Sequence, residues 1–319
     1  MSLHNTEESL HPRHFSPDND LPRLIQLLTA VEAVDQTGED ISEATQRESL
    51  SLPGHDPLQD RWVVEAPGDP DQLIAFGFTW KAPQDDFATI YIVVHPACRL
   101  RGIGNILMQH ALKRAQSIQA LSVQAYASVL HRAGNAFLRK YAFEPVSAYT
   151  ALHLNADIEL PLPFWPAGYT MSNTARDLAT FHYAFNHCFS DLTGHHIVSE
   201  EYMQDILPGQ AHDGTFIAYG PDGEIVGICS GRVDEALSAR RGYCTGYLDS
   251  PGVVPEHRKQ GLYLPLLLAA AQQIRSQEVI DIELESWSDS EETLALYQQV
   301  GFTTLRKELI YQRSVSISG

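Results

Sequence analysis

Two short stretches of this sequence carry residue types able to grip an anion: VVHPACRLRGIG, from Val93 to Gly104, and VVPEHRKQGLY, from Val253 to Tyr263. In each, a β-branched run meets a proline, an arginine follows, and a glycine three residues after that arginine leads into an apolar helix. Such a turn gathers backbone N–H groups that lack intrahelical partners at the positive end of the helix dipole. A pyrophosphate fits that spot. Gly102, Gly104 and Gly261 let the backbone approach phosphates closely or take positive φ. Arg99 and Arg101, or Arg258 and Lys259, would add charge around them. Where the first stretch ends in Gly104, the second has Tyr263. Pro265 is tolerated in a first helical turn and seldom later, which predicts a helix start near Gly261 or Leu262.

The elements that must present these turns occur twice. Pro96 and Pro255, Arg99 and Arg258, and Gly102 and Gly261 all lie 159 residues apart in a chain of 319. Short β-branched or aromatic runs precede each turn, with an Asp222-Gly223 hairpin signal in the second set. After each turn come a helix, a strand, a second helix and a last strand. Ile103, Ile106, Leu107, Ala111, Ala115 and Ile118 follow a 3.6-residue period, which predicts an amphipathic helix. The pattern is α+β, a mostly antiparallel sheet with flanking helices, present in two tandem copies. The repeat predicts a flexible tail over 1–20, a first domain over 21–155, a proline-rich linker over 156–168 and a second domain over 169–319.

The turn preceded by Val-x-Pro and followed by a periodic helix resembles the acetyl-CoA pyrophosphate loop of the GNAT superfamily of N-acetyltransferases. The likeness extends from about Leu21 to Tyr311, and the plan is similar to that of tandem GNAT proteins. It implies a sheet splayed between its fourth and fifth strands, with the pantetheine arm pairing with Ile92–Val94 or Gly252–Val254. It also implies acetyl-CoA as co-substrate. In the first copy Val93, Val94, Arg99, Arg101, Gly102, Ile103 and Gly104 would hold it; in the second, Val253, Val254, Arg258, Lys259, Gly261, Leu262 and Tyr263. A nicotinamide fingerprint would need its glycines inside a βαβ unit, and neither copy has that order.

Acyl transfer to an amine needs a polarised thioester, an amine that loses a proton and a proton for the departing thiolate. The resemblance implies a tyrosine donor four residues before a Gly-Phe pair, which is Tyr297 before Gly301-Phe302. In the first copy Ala142-Phe143 takes that place and leaves Leu138, which has no proton to give; Tyr141 falls elsewhere on the helix. For the base, the family places a carboxylate eight residues before the motif proline, where this chain has Tyr247 and, in the first copy, Ala88. Asp249 shares a strand face with Tyr247 and can serve as the base, or it can cap the turn that follows. Glu283 and Glu285 are further candidates, and an amine can also lose its proton to water. The second copy is expected to be the catalyst and the first a degenerate copy. The rival expectation is a non-catalytic acyl-CoA-binding or sensing protein.

The remaining signals set limits. Forty Asp and Glu against 22 Lys and Arg give a net charge of −18, which repels nucleic acid and favours cationic ligands such as small-molecule amines. Cys98, Cys188, Cys229 and Cys244 have no CxxC spacing and read as reduced thiols of a cytoplasmic protein. No run of eighteen apolar residues predicts a membrane span. His182 and His187 are five apart and His195 and His196 adjacent, so no helical zinc pair arises and no metal is expected.

Overall fold

The structure, a computed structural model, describes residues 10–155, 157–173, 178–192, 197–201, 203, 214–249 and 251–315. It divides into two compact units: Met1–Val146 with Leu309–Gly319, and Ser147–Glu308.

In the first unit, Arg13–His14 (β1) pair with Trp62 and Val63, and the first helix spans Pro17–Asp35 (α1). The tail expected through Asp20 therefore ends sooner. Proline at the first helical position and Asp18 and Asp20 in the first turn suit a helix start. Asp20 is fully buried and accepts hydrogen bonds from Ser16 N, Arg13 and Arg23. Polar residues that read as a loose end thus act as helix-start and ion-pair partners.

Helices Glu43–Glu48 (α2) and Pro57–Asp60 (α3) lead into strands Arg61–Ala66 (β2), Asp69–Trp80 (β3) and Phe87–Val94 (β4). Helix Ile103–Ser117 (α4), strand Ser122–Ser128 (β5) and helix Arg132–Lys140 (α5) follow. The sheet runs β1-β2-β3-β4-β5 and is completed by the chain's last strand. One apolar cluster, with Phe76, Val63 and Leu24, lies under α1; another, with Ile90, Ala88 and Leu107, lies under α4. Strand β4 pairs with β3 in regular register from Thr89 to Val94, yet pairs with parallel β5 only over Phe87–Thr89. Beyond Thr89 the two parallel strands part.

The second unit takes residues 147–155 of strand Glu144–Asn155 (β6), then Thr170–Ser172 (β7), helix Leu178–Cys188 (α6), Thr215–Tyr219 (β8) and Ile225–Val233 (β9). Helix Glu235–Arg241 (α7) precedes Thr245–Asp249 (β10) and Gly252–Val253 (β11). Helix Tyr263–Arg275 (α8), Asp281–Trp287 (β12), helix Glu291–Gln299 (α9) and Thr303–Ser314 (β13) complete the chain. The Asp222-Gly223 turn joins β8 and β9, with Gly223 at φ 80°. Helix α8 starts at Tyr263, one or two residues after the expected start. It packs close to the sheet because added Cβ atoms at Gly231 and Gly246 would fall 2.5 and 2.3 Å from Ile274 atoms.

Strand β6 pairs antiparallel with β12, from Tyr149 opposite Trp287 to Asn155 opposite Asp281. The last strand supplies residues through Glu308 to this unit and from Leu309 to the first. Each unit is thus completed by a segment from the other half of the sequence, so its limits differ from the 21–155 and 169–319 of the repeat. The proline-rich stretch expected as a linker also belongs to the second unit, with Leu160 buried and Pro161 O accepting from Gln272.

One irregularity separates the two copies. Leu248 faces Gly231 and Gly252 faces Ile228, so four steps on one strand oppose three on the other. That is a β-bulge between β10 and β11, and Pro251, with no N–H to pair, sits in it. Strand β4 has none.

Candidate active site

Both motifs form the expected strand, turn and helix, and each turn is a 3₁₀ helix. Pro96–Cys98 and Pro255–Gln260 make the turns, and Gly102 and Gly261 take φ of 85° and 78° before their helices. A Cβ added at either glycine would meet nothing within 4 Å, so the backbone there is open to an incoming group such as a pyrophosphate. The two equivalent arginines are spent otherwise than expected. Arg99 donates from Nε to Val94 O at 3.1 Å and pairs through both terminal nitrogens with Asp35. Arg258 repeats this with Val253 O at 3.0 Å and Asp191. Each therefore ties its loop to the segment ending the unit's first helix, and Arg101 and Lys259 stay exposed near the turn.

Gly104 lies against an aromatic ring. A Cβ at Gly104 would touch the Phe137 ring at 3.4 Å. Phe137 precedes Leu138 as Leu296 precedes Tyr297, so a glycine–phenylalanine pair in one unit is a tyrosine–leucine pair in the other. Tyr263 is half-buried against the second core, and burial pushes its hydroxyl up to about 12, with Arg258 opposing. Ile103 and Leu262 are buried beneath their turns. Val253 and Val254 are buried as well, while Val93 and Val94 are half-buried at the parted strand end.

The two faces of the second sheet carry different chemistry. Gly246 and Leu248 face α8; hence Tyr247 and Asp249 face the other way, opposite Glu283 and Glu285 on β12. There Tyr247 donates to Glu285 at 2.9 Å, Tyr149 donates to its other oxygen, and Arg306 donates to Tyr149 at 2.9 Å. The Arg232 guanidinium lies 4.3 Å from the Tyr247 ring centre. Glu283 is taken by Arg241. Asp249 differs from these: among the described residues its carboxylate makes no hydrogen bond or ion pair. Burial pushes it up to about 6, Arg232 pulls it down and Glu285 pushes it further up. Bulging begins just after it, so Tyr247 and Asp249 keep a common face.

The bulge also changes the comparison of copies. Counting back from the motif prolines matches Tyr247 with Ala88, but Ala88 and Ile90 belong to the cluster under α4, as Gly246 and Leu248 belong under α8. The true counterpart of Asp249 is Tyr91, stacked on Phe78 at 5.5 Å and donating to Glu39 at 2.9 Å. A single extra residue in one strand reverses every face assignment before it, and no residue type announces it.

On the opposite side, Tyr297 of α9 is fully buried and donates to Asp289 Oδ2 at 3.1 Å. Its hydroxyl is pushed well above 10, by burial first and then by Asp289. Cys229 reaches toward both groups: its Sγ is 3.5 Å from Asp249 O, and it sits close enough to Tyr297 to act on it electrostatically. In the first unit Leu138 is buried in the tyrosine's place, and Tyr141 bonds Asn105 instead. His182 Nε2 donates to Val198 O at 2.7 Å, His187 stacks on Tyr183, and His195 and His196 lie outside the described residues. Among the described residues no cluster of three or more His, Cys, Asp or Glu could hold a metal, no helix is long and apolar enough to cross a membrane, and the four cysteines are unbridged.

Two models of one family match the chain, the acetyltransferase (GNAT) family over residues 178–302 and an acetyltransferase (GNAT) domain over 59–145, between them about two thirds of it. The chain belongs to the GNAT acetyltransferases. It is a tandem member, an acetyl-CoA-dependent acetyltransferase with one GNAT domain in each half. Mycothiol acetyltransferase of Renibacterium salmoninarum is 23% identical over 294 residues, covering 82% of this chain and 83% of that protein. The namesake from an Arthrobacter species is 23% identical over 239 residues, with 71% and 70% covered. Among solved structures, a GCN5-related N-acetyltransferase from Sphaerobacter thermophilus superposes with a TM-score of 0.74 at 20% identity over 96% of both chains. A tandem GNAT protein from the clavulanic acid biosynthesis pathway gives 0.67 at 19% identity, covering 98% of this chain and all of that one. These two likenesses concern the fold.

Proposed function

We propose that the second GNAT unit transfers the acetyl group of acetyl-CoA directly to the amine of a small molecule. Asp249 takes the amine's proton and Tyr297 supplies one to the leaving sulfur. The reading rests on one contrast. The second unit has a carboxylate, unengaged among the described residues, beside a bulge on one sheet face and a tyrosine hydroxyl on the other. The first unit has Tyr91, a regular strand and Leu138 at those places. A base whose proton affinity sits near 6 is ionised at neutral pH yet still accepts a proton usefully. Glu285, held by two tyrosine hydroxyls, favours a cationic acceptor on the same face.

The intact turn of the first unit, joined to an apolar face and Leu138, supports a binding-only role there. The mycothiol acetyltransferase relatives make a mycothiol-type amine a sensible first acceptor to try. The test is thiol release from acetyl-CoA against a panel of amines, with Tyr297→Phe and Asp249→Asn alongside, and calorimetric counting of CoA bound per chain. Turnover lost in both variants is expected. Tight CoA binding with no turnover on any amine would leave the non-catalytic reading standing.

A further inference from the structure

Tyr297 does not end the chain of polar contacts on its side of the sheet. Its hydroxyl proton points at Asp289, and Asp289 in turn accepts from Ser286 Oγ at 2.7 Å. Asp289 lies on the connection between β12 and α9, one residue before Ser290, whose hydroxyl caps that helix. The capping need is already met by Ser290, so the Asp289 carboxylate is not required there. The groups facing this pair are Tyr263 from α8, Arg258 from the cofactor turn and Cys229 from β9.

Resting on the reading of Tyr297 as donor, we propose that Asp289 is its positioning residue and proton reservoir. Tyr297 turns its hydroxyl from Asp289 Oδ2 toward the leaving sulfur and the protonated carboxyl becomes the donor, so the tyrosine gives its proton to the sulfur while its oxygen takes the carboxyl proton of Asp289. The S–H bond forms, the Asp289 O–H bond breaks, Tyr297 ends unchanged, and the Asp289 carboxylate is re-protonated by solvent afterwards. With Asp289 ionised, the same donation would set a phenolate against a carboxylate 3.1 Å away in a buried place, which is strongly opposed. The productive form therefore has Asp289 protonated and Asp249 ionised. Burial raises Asp289 to about 6, against the hydrogen bonds of Ser286 and Tyr297 and the charge of Arg258, so the productive form is most populated near pH 6 and falls away above it. The two carboxyl groups then act with opposite pH signs: loss of Asp249's proton turns activity on, and loss of Asp289's proton turns it off.

The test is the pH profile of kcat for the full chain with acetyl-CoA and a turned-over amine, in wild type, Asp289→Asn, Ser286→Ala and Tyr297→Phe. Asparagine keeps an acceptor for the tyrosine but cannot pass a proton. Asp289→Asn is expected to lower kcat on the order of tenfold to a hundredfold, leave the KM for acetyl-CoA in place and erase the falling alkaline limb. Ser286→Ala removes a bond that favours the carboxylate, so the limb moves to higher pH. An Asp289→Asn enzyme within about twofold of wild type with its limb intact, beside an impaired Tyr297→Phe, overturns the relay and spares the tyrosine. A limb unmoved in Ser286→Ala also overturns it. An unimpaired Tyr297→Phe removes the donor reading and the relay together.

Discussion

Replacing Asp249 by asparagine should cost activity and add stability. The carboxyl rises from 3.8 to about 6 on folding because it is half-buried and, among the described residues, has no hydrogen-bond donor, with Glu285 opposite it. At 1.36 kcal/mol per pH unit that rise corresponds to about 3 kcal/mol. Side-chain exposure relieves part of it, and about 1–2 kcal/mol is the expected remainder. The sign follows from proton counting. Between pH 4 and 6 the folded chain holds a proton that the unfolded chain has released, so stability falls as pH rises through that window and stays lower above it. A carboxamide in the same place has no charge to desolvate. At pH 8 the Asp249→Asn protein should melt several degrees higher, at roughly 2–4 °C per kcal/mol for a unit of this size, and the difference should vanish near pH 4. Its kcat should fall on the order of a hundredfold, and the rising acid limb near pH 6 should disappear. Differential scanning fluorimetry across pH, run beside thiol release, measures both. A variant that at pH 8 is no more stable than wild type, with kcat unchanged, would refute the placement of Asp249 as a desolvated base.

Other outcomes test the packing and the chain's division. Gly104→Tyr should destabilise the first unit by about 1–3 kcal/mol through overpacking against Phe137. Adding Phe137→Leu, which reproduces the tyrosine–leucine pair of the second unit, should restore part of that; additive losses in the double-mutant cycle would argue against the exchange of volumes. Gly261→Ala places a Cβ at φ 78° with no neighbour to strike, so the expected cost of about 1–2 kcal/mol is backbone strain alone, read as a lower melting temperature and a raised KM for acetyl-CoA. Deleting residues 309–319 should loosen the first unit although it removes the far end of the sequence. Faster hydrogen exchange in Ser122–Ser128 checks this, and undiminished protection there would contradict it.

The repeat itself is legible in the chain. Val-x-Pro, Arg-x-x-Gly and an apolar period at constant spacing define both turns, because a strand that turns through a positive-φ glycine into a helix constrains residue types locally. Tyr297 and Leu138 are also visible, by their count to Gly301-Phe302 and Ala142-Phe143. The arginines are visible as a pattern but misleading in role: Asp35 and Asp191, their partners, stand 64 and 67 residues away and carry no local mark. Tyr263 reads as a defect until Leu296 is seen to stand where the first unit has the ring of Phe137.

Local chemistry thus determined from sequence alone that two strand–turn–helix motifs with a positive-φ glycine exist and that one copy retains a tyrosine. Tertiary structure decided what surrounds them. The bulge after Asp249 adds one residue to a strand and so sets which side chains share the face of Asp249, a matter of pairing register and not of composition. The completion of each unit by a strand from the other half, and the contact between Tyr297 and Asp289, likewise depend on hydrogen bonds closed only when the chain is folded.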